Sequence, residues 1–381
     1  MKFLLLQLAA GAAAAATTAA TTPLGVMADS FIKRGVPSTI NYSQMTLYGG
    51  FELAYELTGD ERYAAWYRAQ MDALVQDDGT IKGWDLSKYS LDNYRMGNNL
   101  LYWHAATGEA KYRDAAAVIR RQIDRHPRTA TGGFWHRDPV YPHQMWLDGI
   151  FMADSFYARW TRRFDAGNAT AWDDVARQYD NIEAHTRRPA PSGLLVHGYD
   201  ESRAAVWADP VTGAAPLVWD RAVGWYFMSL LEVIPLWPAA HPARARLVGY
   251  FTTLAAALRR EQDASGGWWL IMDERYKGAE GNYIESSGTA MFTFGFLKGI
   301  RLGLLDKKQY LAPAQKAYGL LVDKFVVEKG DGTVDWEGTV EVGSLGSNAT
   351  YEYYISVPLA LNDYKGAGPF MYASYEIEIL R

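Results

Sequence analysis

The chain has 381 residues and none is cysteine, which excludes disulfides, structural cysteine–zinc sites, iron–sulfur clusters and thiol nucleophiles together. Charge of one sign is also scarce. The 38 Lys and Arg stand against 43 Asp and Glu without a basic run, so nucleic acid is not an expected partner. The His residues lack the spacing of a metal site, and the acidic residues form no calcium loop. No phosphate loop, dinucleotide fingerprint or Gly-x-Ser-x-Gly elbow occurs. No metal and no cofactor is therefore expected. Past the N-terminal leader no apolar run approaches membrane-spanning length, so a membrane is not an expected partner either.

Aromatic residues are what the chain has in excess, with 14 Trp and 25 Tyr in a composition that is 49% hydrophobic. Their flat amphipathic rings suit sugar faces and equally well fill the core of a large helical protein. At the start, Lys2 precedes an apolar run from Phe3 through Ala16, followed by small residues. That pattern predicts a secretory signal over residues 1–20, one mature domain over 21–381 and an extracellular protein. A membrane anchor is the weaker reading, because the run is short and alanine-rich. Sequons at Asn41, Asn168 and Asn348 are compatible with a secreted glycoprotein.

Apolar residues at helical spacing predict an all-α protein with segments near 24–35, 43–58, 60–76, 92–107, 109–125, 147–164, 169–187, 220–235, 241–263, 284–303, 307–327 and 350–360. Two kinds of helix alternate. Segments such as Glu61 to Val75 and Glu109 to Asp124 are amphipathic and charged, whereas Trp225 to Leu236 and Met291 to Gly299 are apolar all round. The turn Thr58-Gly59-Asp60-Glu61-Arg62-Tyr63 recurs as Thr107-Gly108-Glu109-Ala110-Lys111-Tyr112, and Leu305 to Tyr310 is a looser copy. Helix pairs at this period predict a solenoid or a closed ring, and the fully apolar inner helices favour six pairs in a closed double ring.

In such a ring all inner helices run the same way, so their N-termini share one rim and chemistry belongs there. The predicted starts are Asn41 to Ser43, Asp92-Asn93, His143 to Asp148, Trp219 to Arg221, Asn282 to Glu285 and Asn348 to Tyr354, each joining polar groups to aromatics. Asp148 is one carboxylate in an apolar stretch, where desolvation raises its pKa and the adjacent helix dipole lowers it. It reads as a functional acid or as a plain N-cap, and Asp92 has the same two readings. His143 and His197 read first as structural. Arg221 opens a nearly charge-free helix and needs an anion, either Asp220 or a ligand. The residues by themselves thus describe a secreted helical ring with an acidic, aromatic mouth suited to carbohydrate.

Several motifs together carry a resemblance over the mature chain: Gly132-Gly133-Phe134-Trp135-His136, Gln144-Met145-Trp146-Leu147-Asp148-Gly149, His197-Gly198-Tyr199-Asp200-Glu201-Ser202, Trp207-Ala208-Asp209-Pro210, Arg221-Ala222-Val223-Gly224-Trp225, Gly281 to Glu285, Tyr351 to Tyr354 and Asn362 to Phe370. In these the chain resembles glycoside hydrolase family 105, the unsaturated rhamnogalacturonyl hydrolases, related to the family 88 unsaturated glucuronyl hydrolases. The resemblance implies a six-fold double-helical (α/α)6 barrel and a monomer. It implies a substrate whose non-reducing end is a 4,5-unsaturated galacturonic acid left by a polysaccharide lyase. It makes Asp148 the acid and then base, with Asp92 as a second acidic residue orienting sugar or water. Tyr42, His136, Trp146, His197, Arg221 and Trp225 become substrate-binding positions, with Arg221 facing the uronate carboxylate. Asn93 and Tyr199 depart from the family pattern, in which Asp and Trp are common.

Overall fold

The computed structural model describes residues 22–380, so the predicted signal lies outside the described residues. Within them the main helices are α1 (Pro23–Arg34), α2 (Tyr42–Thr58), α3 (Glu61–Asp72), α4 (Met96–Thr107), α5 (Ala110–Ile123), α6 (Ser155–Phe164), α7 (Ala169–Thr186), α8 (Asp220–Val233), α9 (Ala243–Glu261), α10 (Ser286–Arg301), α11 (Lys307–Leu320) and α12 (Tyr364–Ile379).

The repeated Thr-Gly motif marks the hinge from an inner to an outer helix. Gly59 and Gly108 end α2 and α4 in the left-handed region, at φ 68° and 75°, where a side chain would be strained. Asp60 then caps α3 by accepting from Arg62 N at 3.0 Å, and Asp306 does the same for α11 through Lys308 N at 2.9 Å. Outer helices bury one stripe: α5 turns Tyr112, Ala115, Ala116, Ile119 and Ile123 inward. The inner helices α8 and α10 have almost no wet face, and every residue of α8 from Asp220 to Leu231 is buried.

The even-numbered helices form the inner ring, each packed on the next, and α12 closes it by packing against both α10 and α2. The odd-numbered helices surround it. The result is the expected six-fold double barrel of helices. Four two-stranded antiparallel ladders lie in the connections, and two matter for the site. Tyr89–Ser90 pairs with Arg137–Asp138, and Gln144–Trp146 pairs with Gly198–Asp200.

The sixth inner helix departs from the expected span of 350–360. That stretch holds only a short helix, Tyr351–Ser356, and a strand, Leu359–Ala360, which pairs with Thr339–Val340. The inner helix is α12. Its Gly366, Gly368 and Pro369 read as helix breakers, but Asp363 caps the start through Lys365 N at 2.8 Å, and the ring needs the small residues. A Cβ on Gly368 would stand 3.0 Å from Thr46 Cγ2 and 3.2 Å from Leu47 N of α2. Tertiary packing overrides local propensity here.

Candidate active site

The starts of the inner helices meet on one rim, and the ladders decide what stands beside what. Asp92 lies in the helical turn Leu91–Tyr94 ahead of α4. Pairing of Ser90 with Arg137 sets Arg137 against it, and Nη2 of Arg137 donates to Asp92 Oδ2 at 2.5 Å. The preceding His136 places Nε2 3.7 Å from Asp92 Oδ1 and stacks on Trp146, with centroids 4.1 Å apart and planes 14° apart. Trp146 is held in turn by its ladder to Gly198, by Tyr141 at 4.4 Å and by its own Nε1, which donates to Gln144 Oε1 at 3.0 Å.

Two residues after Trp146, Asp148 enters the third inner helix. A short turn, Leu147–Gly149, is followed by a π-helical turn, Ile150–Asp154, before α6 begins. Such turns recur at functional sites because they re-aim side chains within a helix. Leu147 N donates to His197 O at 3.0 Å, which brings the His197 ring to Asp148, with Nε2 3.1 Å from Oδ2. On its other side, His197 Nδ1 lies 2.6 Å from the hydroxyl of Tyr354. Below these groups, Tyr42 at the start of α2 meets Trp225 edge-on at 6.2 Å, and Trp225 stacks on Phe151 at 4.7 Å. Trp225 and Phe151 are buried and form a floor.

Burial drives the Asp148 carboxyl upward, but His197, by charge and hydrogen bonding, together with His136, carries its pKa below the ordinary Asp value. The balance that the sequence left open between burial and opposing charge thus falls to the low side, because His197 and His136 act on the carboxylate. Burial also lowers the His136 pKa, outweighing the upward pull of Asp92 and Asp148. The Tyr42 hydroxyl is pushed far up by burial and then by Asp92, so it stays protonated. Asp148 Oδ2, His136 Nδ1, Arg137 Nε and His197 Nε2 are buried without an aligned hydrogen-bond partner inside the protein. Two of these atoms, Asp148 Oδ2 and His197 Nε2, stand only 3.1 Å apart, so a small turn of either side chain aligns them with each other.

Of the predicted residues, the structure gathers Tyr42, Asp92, His136, Trp146, Asp148, His197 and Trp225 around this mouth. Arg221 lies beneath it in a different role. Its guanidinium donates to Val340 O at 2.6 Å, to Ser287 Oγ at 3.3 Å and to Glu341 O, and it stands 3.8 Å from Glu285 Oε1. At 1% exposure it ties α8 to the 340–341 backbone; Glu285 is the carboxylate beside its guanidinium, while Asp220 accepts from its backbone N at 2.7 Å. Tyr199 is not part of the wall: it stacks on His185 of α7 at 4.2 Å and donates to Met145 Sδ. Sequence reasoning missed Arg137 as the accessible cation and gave Tyr354 no role. Arg137 directly follows His136, but only the ladder register puts it on Asp92.

Glycosyl hydrolase family 88 matches residues 27–380. The chain belongs to this family of glycoside hydrolases. A solved family 105 glycoside hydrolase from C. acetobutylicum ATCC 824 is 37% identical, with a TM-score of 0.89 over 94% of this chain and 100% of that one. Protein Atu3128 of Agrobacterium fabrum is 35% identical over 55% of this chain and 91% of its own length. The unsaturated rhamnogalacturonyl hydrolase YesR of Bacillus subtilis is 27% identical over 73% of this chain and 74% of its own. The glycoside hydrolase thus carries, on one rim, a recessed carboxylate between two imidazoles, a second carboxylate held by an arginine, and an aromatic wall and floor. That set can give and take a proton, bind an anion and stack on a sugar ring.

Proposed function

We propose that this glycoside hydrolase removes 4,5-unsaturated galacturonic acid from the non-reducing end of lyase-generated oligosaccharides, with rhamnose as the adjoining sugar. The observation that carries the reading is Asp148, recessed against His197 and His136, with the Arg137 cation across the mouth on Asp92. The similarity to the Bacillus rhamnogalacturonyl hydrolase supports the choice of sugar. The leader read in residues 1–20 supports action outside the cell.

Arg137, whose side chain is 39% exposed, receives the uronate carboxylate, and the aromatic wall takes the ring face. A substrate that brings negative charge and expels water raises the pKa of Asp148 and so favours its protonated form. Asp148 delivers it to C4 of the enol ether, leaving an oxocarbenium-like centre at C5. The carboxylate then accepts a proton from the water that attacks C5. The hemiketal opens, the C1 bond to the leaving sugar breaks, and a keto sugar acid results. One acid suffices, so the carboxylate spacing rules of ordinary glycosidases do not apply.

The test is a panel of unsaturated disaccharides from pectin, ulvan, heparin and gellan lyases, followed by ultraviolet absorbance. Loss of the conjugated chromophore is expected, fastest with the pectin-derived compound. A gain of absorbance on intact polymer would make the protein a lyase. Asp148→Asn is expected to fold and bind while losing about a hundredfold or more in turnover. Near-normal turnover in that variant removes Asp148 from the mechanism.

A further inference from the structure

His197 is fully buried between two polar groups. Its Nδ1 lies 2.6 Å from the Tyr354 hydroxyl and its Nε2 lies 3.1 Å from Asp148 Oδ2. Tyr354 is itself only 1% exposed. It sits in the helix Tyr351–Ser356, which is capped by Thr350, and its ring lies 5.8 Å from Trp219. The other charged and titratable groups around the imidazole are His136 across from Asp148, Arg221 stacked 4.7 Å over Trp219, and Tyr353 next to Tyr354.

In its neutral form an imidazole has one N–H and one lone pair, and its neighbours decide which nitrogen carries which in that form. Asp148 Oδ2 is an acceptor when ionised. A lone pair on Nε2 would face it across 3.1 Å, acceptor against acceptor. With the proton on Nε2, the Nδ1 lone pair needs a donor in a place water does not reach. The Tyr354 hydroxyl supplies one, because burial above all drives its pKa far up and keeps it protonated.

We propose that Tyr354 is a positioning residue: its hydroxyl donates to Nδ1 of His197, fixes the tautomer with the proton on Nε2, and so holds a donor against Asp148. The role rests on Asp148 being the proton donor of the proposed reaction.

The test compares wild type with Tyr354→Phe, which keeps the ring and its place beside Trp219. In protein labelled with ¹⁵N-histidine and without substrate, long-range ¹H–¹⁵N spectra report the tautomer of His197, assigned with a His197→Gln sample. Wild type is expected to show the proton on Nε2 and the variant a mixture of tautomers. In turnover the variant is expected to lose about tenfold or more in kcat, with KM within about twofold. The descending limb of its kcat/KM profile is expected at higher pH, since Asp148 loses its fixed donor. A wild-type proton on Nδ1, or an unchanged tautomer and pH profile in the variant, overturns the proposal even if the variant is slow. The tautomer spectra need no substrate, so a wild type inactive on every unsaturated uronide would refute the proposed function without touching them.

Discussion

Under the proposed reaction Asp148 must hold a proton when substrate is bound, whereas His197 and His136 carry its pKa below the ordinary Asp value in the free protein. The two states leave separate marks on pH profiles, because kcat/KM reports the free enzyme and kcat the complex. The protonated form is the active one, so each parameter falls as pH rises through the relevant pKa. With the free-enzyme value depressed by His197 and His136, the descending limb of kcat/KM is expected at lower pH than that of kcat. Coincident limbs would show that substrate does not shift the group. Asp154, one turn further along, is the opposite case. It is 1% exposed with both carboxylate oxygens unpartnered, and burial, then Asp174, raise its pKa well above the Asp value against the pull of Arg128. The folded chain keeps this proton while the unfolded chain releases it above about pH 4, so its contribution is full below that pH and is lost as pH rises toward the folded value. Asp154→Asn is expected to flatten that part of the slope and to equal or exceed wild-type stability at alkaline pH. Parallel urea-denaturation curves across pH for the two proteins would contradict this.

Among the elements, α12 shows what a local reading of sequence captures and what it does not. The charged outer helices and the Thr-Gly hinges were legible, because period and cap chemistry are local properties. α12 was not, because Gly366, Gly368 and Pro369 gain their meaning only from the surfaces they press against. Gly368→Ala is expected to destabilise the protein by about 1–3 kcal/mol through overpacking against the α2 backbone, measured by denaturant unfolding. An unchanged midpoint would mean that α12 can slide on α2. The site divides in the same way. Asp92 and Asp148 were visible on predicted helix starts, and His136 and His197 as motif residues. Arg137 was not, and Tyr354 stood in a motif without a role, since one depends on ladder register and the other approaches from 157 positions away in sequence. The Arg221 environment was only half visible, because its partners include the backbone carbonyls of Val340 and Glu341.

At the scale of the molecule, stability depends on closure. The inner helices present broad apolar faces to one another, and α12 packs against α10, α2 and α1. Deleting the chain from Tyr364 onward is expected to remove the single cooperative transition in calorimetry, not merely to lower its midpoint. A sharp melt in the truncated protein would show that five helix pairs suffice. Closure also brings the six N-termini together, and this part of the function followed from topology alone: once the helices alternate and close, the rim is where polar residues must meet.

The floor of Trp225 over Phe151 makes the mouth a burrow, not a tunnel. A burrow takes a chain by its tip and cannot thread it. Under the proposed reaction, each fragment offers one cleavable terminus whatever its length, so product is counted per molecule and not per gram. Equal masses of long and short fragments then yield sugar acid in inverse proportion to their size, and the enzyme depends on whatever cuts the polymer first.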